Sequence, residues 1–308
     1  MSLIEKAAKR LEELKRTGVA VPDDLSTEGV EHNAITHYDS SEPEYTPLST
    51  ASAEETDGPV QYSRQVDFDL SRLASMGMVT PEAPHSPIAN EFRVVKRPLL
   101  ANAQGKSAVP VKNGNLMMVT SALPGEGKSF SALNLAMSIA MELDSTVLLV
   151  DADVANPNLL KVLGLPPTRG LMDVLTSDEV SLSDVILRTS VEKLSILPSG
   201  THHQRATEVL ASDVMAQLVA EMAARYPDRV IIFDSPPLLP TTESRVLATH
   251  MGQIVVVVEA DTTTHSNLKQ ALGHLEDCPV VMTMLNKAVR SEVAQYYGYY
   301  GYSRATQA

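Results

Sequence analysis

Residues 115–143 combine three local signals in one order. An apolar run, NLMMVTSA, leads into a glycine-containing loop, LPGEGKS, and then a helical stretch, SFSALNLAMSIAMEL. Ala122-x-x-x-x-Gly127-Lys128-Ser129 is the phosphate-cradling P-loop pattern, lying between a strand and a helix as that pattern requires. Gly125 and Gly127 let backbone N–H groups converge on anionic oxygens with no Cβ in the way. The start of the helix adds its positive end. Such a turn works only where a strand end and a helix start meet above a sheet, so the loop alone points to an α/β protein. Nucleotide contacts are expected from Pro124, Gly125, Glu126, Gly127, Lys128, Ser129 and Phe130. Lys128 should reach the β- and γ-phosphates and Ser129 should ligate Mg²⁺.

The texture from about Ser86 onward agrees. Short Val-, Ile- and Leu-rich runs (STVLLVDAD, LSILPSG, RVIIFDSPP, GQIVVVVEA, VVMTMLN) alternate with helical patterns. Nearly continuous apolar runs are what strands buried on both faces look like. The expected class is therefore α/β, a mostly parallel sheet with helices on both faces. TEVLASDVMAQLVAEMAARY reads as one helix with Leu210, Val214, Leu218 and Met222 on its apolar stripe.

Two further carboxylate sites fall at strand ends, where such sheets bind ligands. VLLVDAD places Asp151 and Asp153 there, and VIIFDSPP places Asp234 there. A hard Mg²⁺ ion on phosphates takes one or two carboxylates and several waters, so Ser129, Asp151 and Asp234 are the expected metal set. A carboxylate near the γ-phosphate can also accept a proton from an incoming hydroxyl, which makes Lys128, Asp151 and Asp153 the catalytic candidates. Asn286, at the end of VVMTMLN, is the candidate contact for the base.

Outside this region the chain is different. Residues 17–63 hold ten carboxylates and no Lys or Arg, in a chain of net charge −13. That block repels nucleic-acid phosphates, so electrostatics disfavour a nucleic-acid partner and none is expected, and the block reads as a solvated linker. Residues 2–16 read as an amphipathic helix with a Ser2/Glu5 capping box, suited equally to its own domain or to an oligomer. VDFDLSRLASMGMVTPEAP has an apolar face of Leu70, Leu73 and Met76 and reads as a short docking helix. The expected organisation is thus 1–16 helix, 17–85 acidic and largely disordered linker with that docking helix, 86–290 P-loop domain, and 291–308 flexible tail. No stretch approaches the ~18 apolar residues of a membrane span, and the N-terminus lacks the apolar centre of a signal peptide. Cys278 is the only cysteine. It reads as a small filler and fits a reducing compartment. The tail holds Tyr296, Tyr297, Tyr299, Tyr300 and Tyr302, five of the nine tyrosines, separated only by Gly298 and Gly301.

ALPGEGKS, the second Asp-x-Asp motif VLLVDADVANP, VIIFDSPP, TEVLAS and the tyrosine cluster together resemble the bacterial tyrosine kinases, the autokinases of capsule and exopolysaccharide systems. RLASMGMVTPE is most similar to the branch associated with exosortase-linked clusters. The resemblance implies a ParA-like, SIMIBI-type P-loop NTPase fold. It implies an ATP- and Mg²⁺-dependent protein-tyrosine autokinase that phosphorylates the five tail tyrosines in trans, with Asp151 or Asp153 taking the phenol proton. It also implies a homo-oligomer, a ring in relatives, and a tyrosine phosphatase that reverses the reaction. A separate membrane polysaccharide copolymerase would recruit a cytoplasmic chain to the inner face of the membrane. Relatives assemble through a helix reading Glu-x-x-Arg-x-x-Arg. SPIANEFRVVKR sets Asn90, Arg93 and Lys96 against it, so Arg93 and Lys96 are the expected oligomer contacts. Ala155 and Asn156 stand where relatives carry arginine. Two rivals follow from other classes: a ParA-like ATPase switch, disfavoured because Leu123 replaces the second loop lysine, and a nucleotide-binding adaptor without kinase activity.

Overall fold

The computed structural model describes residues 64–225 and 228–289. The expected N-terminal helix, the acidic stretch to residue 63 and the tyrosine tail lie outside the described residues.

Eight strands form one sheet: β1 (Gln65–Val66), β2 (Leu116–Ser121), β3 (Thr146–Asp151), β4 (Leu187–Thr189), β5 (Leu194–Leu197), β6 (Arg229–Asp234), β7 (Gln253–Glu259) and β8 (Val281–Asn286). Their order is β1-β4-β5-β3-β6-β2-β7-β8, and every pairing is parallel except β4 with β5. All six strands expected from apolar runs are present. β1 and β4 are too short to leave a pattern in the sequence.

Successive residues of a strand face opposite ways, and the core divides accordingly. Met117, Val119, Val147, Leu149, Ile232, Val255 and Val257 form one core layer with α1 (Leu70–Ser75), α2 (Pro87–Ala103), α3 (Lys128–Ala140) and α4 (Leu159–Leu163). Leu116, Met118, Leu148, Val150, Ile231, Phe233, Ile254 and Val256 form the other. That layer includes residues of α5 (Leu171–Thr176), α6 (Leu182–Val185), α7 (Ala206–Leu210), α8 (Asp213–Arg225), α9 (Glu243–Ala248) and α10 (His265–Gly273). Helices cover both faces, which is why the central strands carry consecutive apolar residues rather than one at every second position.

Three local readings change. TEVLASDVMAQLVAEMAARY is two helices, α7 and α8, and the buried stripe of the second is Met215, Val219 and Met222, with Val214 half-exposed. The segment before residue 86 belongs to the packed unit. β1 pairs with β4, Leu73 is fully buried, and Val79 N–H donates to Asn134 Oδ1 on α3 at 2.6 Å. Met78 and Val79 complete that contact, while Met76 is 44% exposed and lies off the apolar face. No helix among the described residues is long and apolar enough to cross a membrane.

Candidate functional site

The loop 122–127 leaves β2 at its C-terminal end and turns into α3. Gly125 (φ 86°) and Gly127 (φ 97°) hold left-handed backbone, which glycine adopts without strain. A Cβ on Gly127 would also collide with the Asn286 side chain. Glu126, though acidic, is buried beneath the loop. Its carboxylate accepts from Leu123 N–H at 2.8 Å and from the Thr263 hydroxyl. Asn286 Nδ2 donates to Glu126 O at 2.9 Å, and Lys287 Nζ donates to Gly125 O at 2.8 Å while pairing with Glu259 at 3.0 Å. The loop is thus clamped from β7 and β8. Glu126 and Asn286 are braces of the cradle in this arrangement. Leu123, in the position of the second lysine, packs against the core.

A cleft of about 660 Å³ opens above the loop, lined by Pro124, Gly125, Lys128, Ser129, Asp153 and Lys161, with Asn156 and the Pro236–Pro237 turn at its rim. Inside it Lys128 Nζ lies 2.6 Å from Asp153 Oδ2, with both side chains largely shielded. Asp153 Oδ1 accepts from Asn156 N–H at 3.2 Å. Phe130 and Asn286 line a second, more apolar groove on the other side of the loop, against Phe92 and Met284.

Asp151 and Asp234 lie under the cleft, side by side. β3 and β6 are paired in register, Asp151 against Asp234, so both carboxylates end up at one spot about one strand spacing (~4.8 Å) apart. Asp151 Oδ2 accepts from Leu159 N–H at 3.2 Å, but its Oδ1 and both oxygens of Asp234 have no hydrogen-bond partner. Burial, reinforced by the charge of Asp234, pushes Asp151 up to about 7. Burial likewise pushes Asp234 up to about 6, although Lys128 and the nearby Ser129 hydroxyl, not in hydrogen-bond geometry, draw it back. Buried carboxylates lacking donors are costly unless a cation or proton joins them. Together with the Ser129 hydroxyl they form a hard oxygen set that suits Mg²⁺.

The sequence reasoning missed Lys161. It sits on α4, eight residues beyond Asp153, and no helical or strand spacing would have put it in the cleft. It brings a second cation, beside Lys128, to the cleft.

The expected oligomer contact needs correction. Lys96 is buried in its own chain, donating to Ser138 O and pairing with Glu142 at 2.8 Å. Arg93 is half-buried and donates to Asn90 Oδ1 at 2.8 Å and to Pro84 O at 3.0 Å. The exposed i, i+3, i+6 stripe of α2 is Glu91, Val94 and Arg97. Phe92, Lys96 and Leu99 take the buried phase, so the outward face lies one residue on from the expected register.

Comparison with known proteins agrees with this geometry. A family model described as an AAA domain matches residues 116–288, more than half of the chain. Tyrosine-protein kinase YwqD of Bacillus subtilis is 33% identical over 187 residues, covering 60% of this chain and 77% of that protein. Putative tyrosine-protein kinase CapB of Staphylococcus aureus is 29% identical over 223 residues, covering 71% and 93%. Succinoglycan biosynthesis transport protein ExoP of Rhizobium meliloti is 31% identical over 248 residues, covering 78% of this chain but 30% of that longer protein. Among solved structures, the chimerical protein CapA2B2 matches with a TM-score of 0.57 and 26% identity over 72% of this chain and 92% of that one. The chain belongs to the bacterial tyrosine kinases, on the P-loop AAA-domain fold.

Proposed function

We propose that the chain is an ATP-dependent protein-tyrosine autokinase, with its own C-terminal tyrosines as acceptors. The observation that carries the reading is the stacking of groups at one strand-end site. A lysine is held by an aspartate in an open cleft, and just beneath lie two further aspartates, three of whose four carboxylate oxygens have no hydrogen-bond partner. Lys128 is paired with Asp153, and a triphosphate entering the loop offers it a stronger anionic partner. Release of Lys128 frees Asp153 in the same event. Of the three aspartates only Asp153 lines the cleft, which supports it as the base. Asp151 and Asp234, with Ser129, would hold Mg²⁺. That ion, when bound, supplies neutralisation of phosphate charge.

The chemical step balances without further reactants. The phenol oxygen of Tyr296, Tyr297, Tyr299, Tyr300 or Tyr302 attacks the γ-phosphorus. The bond to the β,γ-bridging oxygen breaks and its electron pair leaves with ADP, while the phenol proton passes to Asp153. A phenol, with a pKa near 10, needs such an acceptor at neutral pH. Lys128 and Lys161 face the charge that develops on the transferring group.

We further propose that the acceptor tail comes from a sister subunit in a homo-oligomer, a ring by resemblance, contacting through the outward stripe of α2 and through Arg93. A polysaccharide copolymerase in the membrane would recruit and activate the chain, and a tyrosine phosphatase would reset it. The naming of ExoP for succinoglycan transport supports that setting. The direct test is incubation with ATP and Mg²⁺ followed by phosphotyrosine blotting. Signal from the wild-type chain and none from Lys128→Met supports the kinase. Nucleotide hydrolysis without signal favours the ParA-like switch, and nucleotide binding with neither favours the adaptor.

A further inference from the structure

A nucleotide does not explain the whole lining of the cleft. Lys128, Ser129 and the glycine loop supply its phosphate-binding part. Much of the rest is proline: Pro236, Pro237 and Pro240 in the turn after β6, and Pro157 between β3 and α4. Nineteen of the 308 residues are proline, so thirteen lining positions should hold about one. They hold five, counting Pro124 of the loop, which is more than chain reversal at the strand ends requires.

Proline has a fixed φ and no N–H, so these residues offer a triphosphate no donor. Their carbonyls are engaged elsewhere. Pro236 O accepts from the Thr120 hydroxyl at 2.9 Å and the Ser235 hydroxyl at 3.3 Å. Pro237 O accepts from the hydroxyls of Thr241 at 2.6 Å and Ser244 at 3.2 Å. Leu238 N–H and Leu239 N–H donate to Ser121 O and Ala122 O at 2.8 and 3.2 Å. Arg245, on α9, donates from Nε to Leu238 O at 3.0 Å and from Nη2 to Leu239 O at 3.1 Å. From Pro236 to Leu239 every backbone donor and acceptor thus has a partner inside the protein. What this turn presents to the cleft is carbon, in a backbone braced by β2 and α9.

The turn stands beside Asp153. Asp153 and Pro236 each lie two residues beyond Asp151 and Asp234, which are paired in register. Ala152 N–H still donates to Asp234 O at 2.8 Å, so the two segments leave the sheet together. An aromatic ring has an electron-rich face and a large apolar area to bury, and it packs well on the C–H groups of proline. Proline-rich peptides dock on aromatic grooves through the same pairing, with the roles exchanged. We propose that Pro236, Pro237 and Pro240, with Pro157, form the acceptor subsite. They hold the phenol ring and make tyrosine, rather than serine or threonine, the residue whose hydroxyl arrives at Asp153. The proposal rests on the reading that phosphoryl transfer takes place in this cleft.

The division of labour has consequences. The ring carries the affinity and the hydroxyl only the reaction, so phenylalanine in the same place should bind without reacting. Serine should do neither. Its hydroxyl sits on the β-carbon, a full ring short of the phenol's, and it brings no ring for the prolines to cover. Loss of the prolines should weaken the acceptor and leave the nucleotide alone, because the phosphate-binding part of the cleft is built from other residues.

The test compares three labelled peptides of residues 291–308 on the purified full-length chain: the native one, and ones with all five tyrosines replaced by phenylalanine or by serine. Binding to the chain loaded with ADP and Mg²⁺ is read by fluorescence anisotropy, and phosphate transfer from ATP by mass. The phenylalanine peptide should bind about as tightly as the native one and compete with it, and the serine peptide should bind about 10-fold more weakly or worse. Pro240→Ala should raise KM for the native peptide about 5-fold, and Pro237→Ala/Pro240→Ala further, with kcat and affinity for a fluorescent ATP analogue within about 2-fold of wild type. Pro240→Val keeps an apolar surface and should recover part of the loss, which a proline that only shapes the turn would not allow. Thermal melts confirm folding, and the peptide comparison on the wild-type chain decides the matter if a variant fails to fold. Equal binding of the serine and phenylalanine peptides, or an unchanged KM in the folded double variant, overturns the proposal. So does an equal loss of nucleotide affinity, since the prolines would then shape the nucleotide site. Preference for the phenylalanine peptide in a protein that transfers no phosphate would uphold the subsite and sink the kinase reading. Transfer to tyrosine with no such preference would remove the subsite alone.

Discussion

The buried aspartates have opposite effects on stability and on catalysis. Asp151 and Asp234 bind protons more tightly in the folded chain than in the unfolded one. Their contribution to stability is therefore full below about pH 4 and is lost as pH rises through about 6 to 7. The metal-free protein should melt at a higher temperature at pH 5.5 than at pH 8, and Mg²⁺ with nucleotide should narrow that gap. A carboxyl held near 6 rather than 3.8 carries a charging penalty on the order of 3 kcal/mol. Asp234→Asn should accordingly raise the melting temperature of the metal-free protein by several degrees at pH 8 while abolishing phosphorylation. A fall in melting temperature would show that the aspartate is a structural element rather than a strained ligand. Lys161→Met should slow phosphorylation roughly 10²-fold, the usual cost of removing one group that stabilises transition-state charge, with little change in melting temperature. Asp153→Asn should lower the rate by about 10²–10⁴-fold with nucleotide binding retained. If Asp151→Asn alone does this, the base is misassigned. The residues that could be found in the sequence were those with a local signature: Gly127-Lys128-Ser129 after a strand, and aspartates ending apolar runs. Lys161, and the bracing of Glu126 by Thr263 and Asn286, arise from tertiary proximity that no spacing encodes.

At the scale of elements, the central strands could be read because burial on both faces leaves an unbroken apolar run. Strands β1 and β4 could not, since two or three residues are ordered mainly by distant partners. The register of α2 slipped by one residue because Lys96, normally an exposed residue type, is buried against Ser138 and Glu142. The segment leading to α2 is tied to α3 by Val79 N–H and Asn134, which also donates to Phe130 O at 2.7 Å. Asn134→Ala would leave a buried N–H without an acceptor, at about 1–3 kcal/mol. Chemical denaturation should register that loss, and because Asn134 caps nothing in the cleft, the rate per folded molecule should hold. Gly127→Ala would meet both a left-handed backbone and the Asn286 side chain. It should abolish nucleotide binding, as titration with a fluorescent ATP analogue would reveal.

At the scale of the molecule, the C-terminal end of the central parallel strands gathers the cleft, with Asp153 in it and Asp151 and Asp234 beneath it. Each added phosphate brings about −1.5 to −2 charge at neutral pH, so a multiply phosphorylated tail would repel other acidic surfaces and weaken the proposed tail-mediated assembly. The phosphorylated protein should elute from a sizing column as a smaller species than Lys128→Met. The central claim is that a triphosphate beside Lys128 is attacked by a tyrosine from another subunit. Intact-mass spectrometry of a mixture tests it most directly. Lys128→Met chains are combined with active chains whose five tail tyrosines are phenylalanine, in ATP, Mg²⁺ and a fragment of the proposed membrane partner. Phosphate-sized mass steps on the Lys128→Met chain, mapped to Tyr296–Tyr302, are the predicted result. A Lys128→Met chain that gains no mass while the wild-type protein does would contradict transfer between subunits, and no gain on either would contradict the kinase itself.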